Sequence, residues 1–421
     1  MAKFSPPPGC ADIFPAEAGE WRNLEKTAAA IFSRYGYGEL RTPIFEYTEV
    51  FTRGLGDDTE VVQKEMYTFE DRGGRSLTLR PEGTAGVMRA VLNTDVMNGN
   101  EQRVYYCGPM FRGERPSAGR RRQFHQIGSE NVGRIAPELD AESIAMLAHF
   151  LREIGIKECK IKINTRGVAA DRIPAGAMLR EYFSKHIDDM CDDCKVRLEK
   201  NIWRILDCKQ ETCRKIIDRA PKYFDSFTDE SKEYFSKVCR TLDLMGINYE
   251  VDPMLVRGLD YYIHTVFELS HSALGEQIAI AGGGRYELFL PGEKKPVMGV
   301  GFAAGMERLL LVREALGLKV ESENKLIFLL SLGDNALLEN LKTSAQLRQA
   351  GFTVALEPEA KSMKSQMRSA NRLNAALVII RGDDEVAKNI VICKNMADGI
   401  QSEIPLDKLA AYLQEHNLLN K

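Results

Sequence analysis

Apolar residues recur every three or four positions through "EWRNLEKTAAAIFSR" (20–34), which predicts an amphipathic helix, and the following "YGYGELRTPIFE" reads as a turn running into extended chain. The run "RSLTLRPEGTAGVMRAVL" alternates like a strand as far as Arg80, turns at Pro81 and Gly83, and opens a helix at Thr84. Two further strand-like runs, "QRVYYCGPMFRGE" and "RRQFHQIGSENVG", flank the loop "RPSAGR". That pattern predicts an antiparallel pair with a basic loop at its tip.

From about Val168 to Arg240 the alternation stops, and a Lys-, Asp-, Glu- and Cys-rich stretch reads as mostly helical. Strands resume at "VRGLDYYIHTVFEL", so the stretch is an insertion into a first domain spanning 1–324. From 325 to 421 the pattern restarts as strand "KLIFLLSL", helix "NALLENLKTSAQLRQAG", strand "FTVALE", helix "KSMKSQMRSANRL", strand "AALVIIRG", then a hairpin and a last helix. Strands alternating with helices predict a separate α/β domain with mainly parallel central strands. The fold class expected for the whole chain is therefore α+β, an antiparallel sheet with flanking helices and a helical insertion, followed by the α/β domain.

A chain of 421 residues with 44% hydrophobic and 28% charged residues suits a two-domain globular enzyme, not a disordered or membrane chain. No apolar run at the N-terminus serves as a signal peptide and none is long enough to span a bilayer, so the expected location is cytoplasmic, with no membrane partner. The nine cysteines are then expected as reduced thiols. A net charge of −3 excludes a polycation that coats nucleic acid by bulk attraction, so any such contact must be local.

The densest local charge lies in "FRGERPSAGRRRQFHQIGSE" (111–130), where five arginines between Arg112 and Arg122 face a single acid, Glu114. Strand parity puts Arg122, Phe124, Gln126, Gly128 and Glu130 on one face and His125, Ile127 and Ser129 on the other. A cation, an aromatic platform, an amide, a gap and a carboxylate in a row suit a flat base, a phosphate and a polar small molecule lying across a sheet. A solvated strand with a charged loop fits this segment equally well.

The ordered set "LTLRPEGT", "FRGERPSAGRRRQFHQ", "VRGLDYY", "AGGGRYE" and "GVGFAAGMERLLL" resembles the class II aminoacyl-tRNA synthetases, and among them the histidyl-tRNA synthetase family, over essentially the whole chain. The resemblance implies ATP-dependent activation of L-histidine to an adenylate and transfer to the 3′-terminal ribose of tRNA(His), with Mg2+. Arg112 matches the arginine that grips the α-phosphate, Arg308 the one beside the γ-phosphate, and Arg257 a fixed positive charge near the reacting phosphate. Phe124 would stack on adenine. Glu82, Thr84 and Gln126 match positions that hold the α-ammonium, Glu130 and Tyr262 those that bond the imidazole, and Tyr286 closes the pocket. Two anions that must meet call for arginine and Mg2+ rather than a protein nucleophile, which agrees with that set. The segment "LRTPIFEYTEVF", with Pro43, implies a homodimer, and the C-terminal domain an anticodon-binding role. The alternative is a catalytically silent, histidine-sensing regulatory subunit of synthetase-like sequence, which would be expected to lack the anticodon domain and several ligand contacts.

Ordinary roles exist for single members of the set: Glu82 as a helix N-terminal acid, Tyr262 as a core tyrosine, Arg308 as a surface helix residue with an ion partner. "GVGFAA" fits a dinucleotide-binding spacing but lacks the surrounding βαβ unit. Cys191, Cys194, Cys208 and Cys213 have the spacing C-x2-C-x13-C-x4-C, which permits a structural Zn2+, as it permits four innocent thiols. Lys361, Lys364, Arg368 and Arg372 fall on one stripe of the helix expected at 361–373, and the favoured arrangement is a solvated face with Met363, Met367 and Ala370 turned inward.

Overall fold

The computed structural model describes residues 4–55, 59, 61–94, 96, 100–258, 261–275, 278–289, 295–319, 325–359 and 361–418. It divides into two compact units, Met1–Val320 and Glu321–Lys421. The expected boundary at 324/325 adjoins 320–324, which lie outside the described residues, as do Leu259 and Asp260 of "VRGLDYY".

The first unit is built on an eight-stranded sheet. In spatial order its strands are Gly38–Glu39, Gln102–Phe111, Gln123–Val132, Val297–Gly305, Ala279–Leu288, Tyr262–Ser270, Lys160–Thr165 and Glu250–Val251. The two edge pairs are parallel and the rest antiparallel. Gln102–Phe111 and Gln123–Val132 pair over their full length, from Gln102 opposite Val132 to Phe111 opposite Gln123, with the arginine loop at the tip as the sequence predicts. "GVGFAA" lies inside the strand Val297–Gly305, paired on both sides, which leaves no Rossmann turn there.

Helices cover one face of this sheet. Pro15–Arg34, Pro137–Glu153, Asp229–Leu244 and Met306–Ala315 bury Leu24, Phe32, Phe150, Leu242 and Leu309 against Ile127, Phe267 and Phe302. The first helix starts five residues earlier than its apolar spacing indicates, because Pro15 at its first position has a fixed φ suited to helix entry and lacks an amide that would have no partner there. On the other face a second core gathers Phe51, Val87 and Met88 from the helices Thr48–Leu55 and Thr84–Val91 with Tyr106, Tyr262, Val266 and Tyr286. The cleft opens on that side.

The cysteine-rich stretch has its own core. Ala175, Leu179 and Phe183 of the helix Ala169–Ser184 pack with Cys194, Ile205, Leu206, Cys208, Cys213, Ile217, Tyr223 and Phe227. The helix Asp229–Leu244, which runs across the expected end of the insertion at about Arg240, instead buries Phe235, Val238 and Leu242 in the main core.

The second unit carries a five-stranded sheet in the order Val354–Leu356, Ile327–Leu332, Leu377–Gly382, Ile390–Asn395, Gln401–Pro405, with the first three parallel and the last two added antiparallel. A short helix, Asp383–Lys388, is not evident from apolar spacing. It is set by end chemistry: three acids fill its first turn, Glu385 accepts from the Gly382 amide at 2.7 Å, and Asn389 closes it at φ 55°. The basic stripe needs correcting. The helix begins at Met363, so Lys361 precedes it and pairs with Glu357 at 2.8 Å. Met363 is exposed, and Gln366 takes the inward place beside Ala370 because its amide bonds both the amide and the carbonyl of Ser331.

Candidate active site

The turn at Pro81–Gly83 orients the first acid. Glu82 accepts from the amides of Thr84 at 2.7 Å and Ala85 at 2.8 Å, filling two of the donors that every helix start leaves open. Its ordinary role as a helix N-terminal acid is therefore real, and it coexists with a place in the cavity wall.

The strand Gln123–Val132 separates by parity as its sequence predicts. Ile127 enters the helix-covered core, and His125 lies edge-on to Trp21 while its amide donates to Glu307. Phe124, Gln126 and Glu130 face the cavity. Glu130 is buried, accepting from Thr84 Oγ1 at 2.7 Å and Tyr286 OH at 2.8 Å. Burial pushes its carboxyl up to about 8, against the pull of those two hydroxyls and with a further push from Glu82. Its neighbour across the sheet, Gly301, leaves the space it occupies: a Cβ there would stand 1.9 Å from Glu130 Oε2. Gln126 lines the cavity, and its Oε1 is buried without a hydrogen-bond partner among the described residues.

The cations gather around Phe124. Arg112 donates from Nε to the Pro81 carbonyl at 2.9 Å and lays its guanidinium 5.2 Å over the Phe124 ring, linking the acid-rich part of the cavity to the aromatic platform. Arg308, from the first turn of Met306–Ala315, donates to the Gly119 carbonyl at 3.1 Å and to that of Ala279. It is far from an exposed helix residue with an ion partner: burial lowers its pKa, repulsion from Arg120, Arg112 and Arg257 lowers it further, and Glu114 partly offsets them. Arg257 is held by Glu268 at 2.7 Å and reaches over Gly282, where a Cβ would meet Nη1 at 2.7 Å.

Glu82, Thr84, Arg112, Phe124, Gln126, Glu130, Arg257, Tyr262, Tyr286 and Arg308, the ten residues singled out from sequence for this chemistry, all line one cavity. Arg120, Arg121, Glu114 and Tyr261 line it as well. Tyr261, which the motif match did not single out, is buried beside Tyr262 with the two rings 4.7 Å apart. Glu268, which fixes Arg257, carries no motif signal; only its placement six residues beyond Tyr262 on the same strand, on the same alternating set, connects them. The four insertion cysteines are brought together elsewhere, their Sγ atoms all within 4.8 Å of one another.

Buried carboxyls and hydroxyls beside one another, and arginines close enough to repel one another, give the cavity an acid-lined part and a strongly cationic part. A mostly antiparallel sheet with these residues on its open face is the catalytic fold of class II aminoacyl-tRNA synthetases. Residues 9–309 match the family model for histidyl-tRNA synthetase, and residues 327–416 that for an anticodon-binding domain. The histidine–tRNA ligase of Geobacillus sp. (strain WCH70) is 46% identical over 98% of this chain and 99% of its own. The solved structure of apo S. aureus histidyl-tRNA synthetase is 37% identical, with a TM-score of 0.80, covering 98% of this chain and 100% of that one. A structure from Bacillus halodurans C, titled as an ATP phosphoribosyltransferase regulatory subunit/histidyl-tRNA synthetase, shares the fold at 21% identity, TM-score 0.65, covering 91% and 98%. The chain belongs to the histidyl-tRNA synthetase family.

Proposed function

We propose that this protein activates L-histidine with ATP and transfers it to the 3′-terminal ribose of tRNA(His). The observation that carries the reading is the single cavity in which Glu130, with Thr84 and Tyr286, stands beside the Arg112, Arg257 and Arg308 cluster.

In this reading the substrate imidazole lies between Glu130 and Tyr262, polar partners for its two ring nitrogens, and a side chain lacking those nitrogens would leave buried groups unpaired. The α-ammonium is received by Gln126, whose Oε1 is otherwise unpartnered, with Thr84 and Glu82. Adenine takes the face of Phe124 that Arg112 covers, and Arg112 moves to the α-phosphate as the histidine carboxylate attacks it and pyrophosphate leaves. Arg257 and Arg308 supply fixed charge to the phosphoryl oxygens, with nothing to reorganise at the moment of reaction.

Mg2+ accompanies ATP as counter-ion to the phosphates. Glu82 and Glu130 have both carboxylate oxygens bonded within the protein, whereas the ion pair of Glu114 with Arg120 is a long 3.5 Å contact, so among the described cavity acids Glu114 is the one most available to such an ion. Zn2+ enters as a structural ion at Cys191, Cys194, Cys208 and Cys213, none of which lines the cavity. A tetrahedral tetrathiolate with Zn–S of about 2.3 Å has S–S edges of about 3.8 Å. Cys191 and Cys208 stand at that spacing, 3.8 Å apart, and all four Sγ atoms lie within 4.8 Å of one another.

A second copy of the chain fits the three-stranded sheet of Phe45–Tyr47, Tyr67–Glu70 and Ser76–Leu79, on which Phe45, Tyr47, Tyr67 and Phe69 stand exposed on one face. An apolar sheet face of that kind is one that association covers, which supports the homodimer. The C-terminal unit takes the anticodon, and the reaction belongs in the cytoplasm; no described helix is long and apolar enough to cross a membrane. Retention of both the anticodon module and the arginine cluster disfavours the silent regulatory subunit.

The test is histidylation of tRNA(His) transcript by the purified protein, followed as acid-precipitable [14C]histidine. Charging that requires ATP and an intact 3′ end is expected. Tight histidine binding with no charging would transfer the protein to the regulatory reading.

A further inference from the structure

Arg257 is bracketed by the insertion. The residue before it, Val256, belongs to the same buried core as Cys194, Cys208 and Cys213, and Met254 packs against that core. The residue after it, Gly258, has its carbonyl held by the guanidinium of Arg204. Arg204 sits in the short helix Ile202–Asp207, which runs directly into Cys208, and two members of that helix, Ile205 and Leu206, are buried beside the cysteines. Upstream, Asn164 donates to the carbonyls of Pro253 at 3.2 Å and Leu255 at 3.0 Å, and to the hydroxyl of Tyr223, which is itself in the insertion core. The segment that delivers Arg257 to the cavity is thus tied at each end to elements anchored on the cysteine cluster.

The cluster has the features of a built metal site. Three of its four thiols are buried, all nine cysteines of the chain are free, and the amide of Cys191 donates to Cys213 Sγ at 3.2 Å, the outer hydrogen bond that thiolate ligands commonly accept. One ion joining Cys191 and Cys194 to Cys208 and Cys213 adds a direct constraint to the apolar core that this stretch shares with the helix Ala169–Ser184.

We infer that one Zn2+ at Cys191, Cys194, Cys208 and Cys213 sets the position of Arg257, so that the insertion's metal centre controls adenylate formation although it touches no substrate. This rests on the synthetase reading for its readout, and on zinc for its cause. Arg204, Val256 and Asn164 are then positioning residues, and the centre is a remote support for the transition-state charge.

The experiment uses the full chain. Zinc is counted by mass spectrometry after chelator-free purification, and by pyridylazoresorcinol colour on titration with a mercurial. Histidine-dependent exchange of pyrophosphate into ATP is measured on the same samples, together with histidine binding by calorimetry. The expected result is one zinc per chain; on its release, kcat for exchange falls at least tenfold while histidine affinity stays within threefold, and re-addition of Zn2+ restores kcat. Because Cys208→Ser risks misfolding, Arg204→Ala serves as the second variant: it leaves all four ligands in place and should keep its zinc, lose kcat about tenfold with histidine KM unchanged, and recover partly as Arg204→Lys. A folded, fully active protein purified without zinc overturns the metal centre. Zinc present, but with exchange unchanged both on its release and in Arg204→Ala, overturns the coupling alone. Histidine binding with no exchange in the zinc-loaded wild type overturns the synthetase reading instead.

Discussion

Replacing Glu130 by glutamine separates what this carboxyl does for folding from what it does for recognition. Burial holds its pKa at about 8, despite the hydroxyls of Thr84 and Tyr286, whereas an unfolded glutamate titrates near 4.5. Between those values the unfolded chain has released the proton and the folded chain keeps it. The stability is therefore fully present below the unfolded value and is lost as pH rises toward the folded one, by about 1.4 kcal/mol per pH unit. At pH 7 the gap is about 2.5 pH units, or about 3 kcal/mol. Glutamine keeps the shape, accepts from one hydroxyl, donates to the other and does not titrate. Glu130→Gln should match the parent near pH 4.5 and exceed it by about 3 kcal/mol at pH 7. For the unit Met1–Val320, with about 2.1 cal/mol/K per residue of unfolding entropy, that is about 4–5 °C in Tm. Thermal and urea unfolding of both proteins from pH 4.5 to 8.5 reads the difference directly. Parallel pH profiles would refute the reasoning, because a carboxyl that titrates normally in the fold cannot generate the divergence. The same variant should lose histidine-dependent activity by about a hundredfold or more, as a buried site with an altered partner discriminates against its own substrate.

Other variants separate chemistry from scaffold. Arg257→Ala should stay folded and lower kcat for adenylate formation by at least about a hundredfold, with histidine affinity within a few-fold, since fixed charge acts mainly in the transition state; near-normal turnover removes it from the reacting set. Histidine affinity should tighten as pH rises to about 8, because the imidazole N–H needs Glu130 ionised, and calorimetry should find that dependence flattened in Glu130→Gln. In Gly301→Ala the new methyl would meet Glu130 Oε2 at 1.9 Å and the Ser129 carbonyl at 2.3 Å; a loss of about 1–3 kcal/mol with a raised histidine KM is expected, and unchanged Tm and KM would show that the strand yields. Arg285→Ala breaks a wholly buried pair with Asp140, at 2.6 Å, and should destabilise by about 3–5 kcal/mol in chemical denaturation; a loss below 1 kcal/mol would mean the carboxylate finds another partner.

Arg285 also shows where sequence reading stopped. It stands in "AGGGRYE" beside Tyr286, and strand alternation sends the two side chains to opposite faces, Tyr286 to Glu130 and Arg285 to Asp140 and the carbonyls of Arg134 and Ala136. Motif matching marked the tyrosine and passed over the arginine, whose partners lie about 150 residues away in sequence. The Phe124–Glu130 face was legible because a period of two is read from seven consecutive residues. Glu268, Arg204 and the spacing of the cysteine thiols were not, because each depends on long-range packing that no local period encodes. The helix limits at Pro15 and Asp383–Lys388 depended on end chemistry, which apolar spacing does not register.

The most direct measurement is amino-acid-dependent exchange of pyrophosphate into ATP, with Mg2+ and without tRNA, run over all twenty amino acids. The account predicts exchange with histidine alone, lowered by about a hundredfold or more in Arg257→Ala and Glu130→Gln. Exchange with another amino acid, or none from folded protein that still binds histidine, would contradict it.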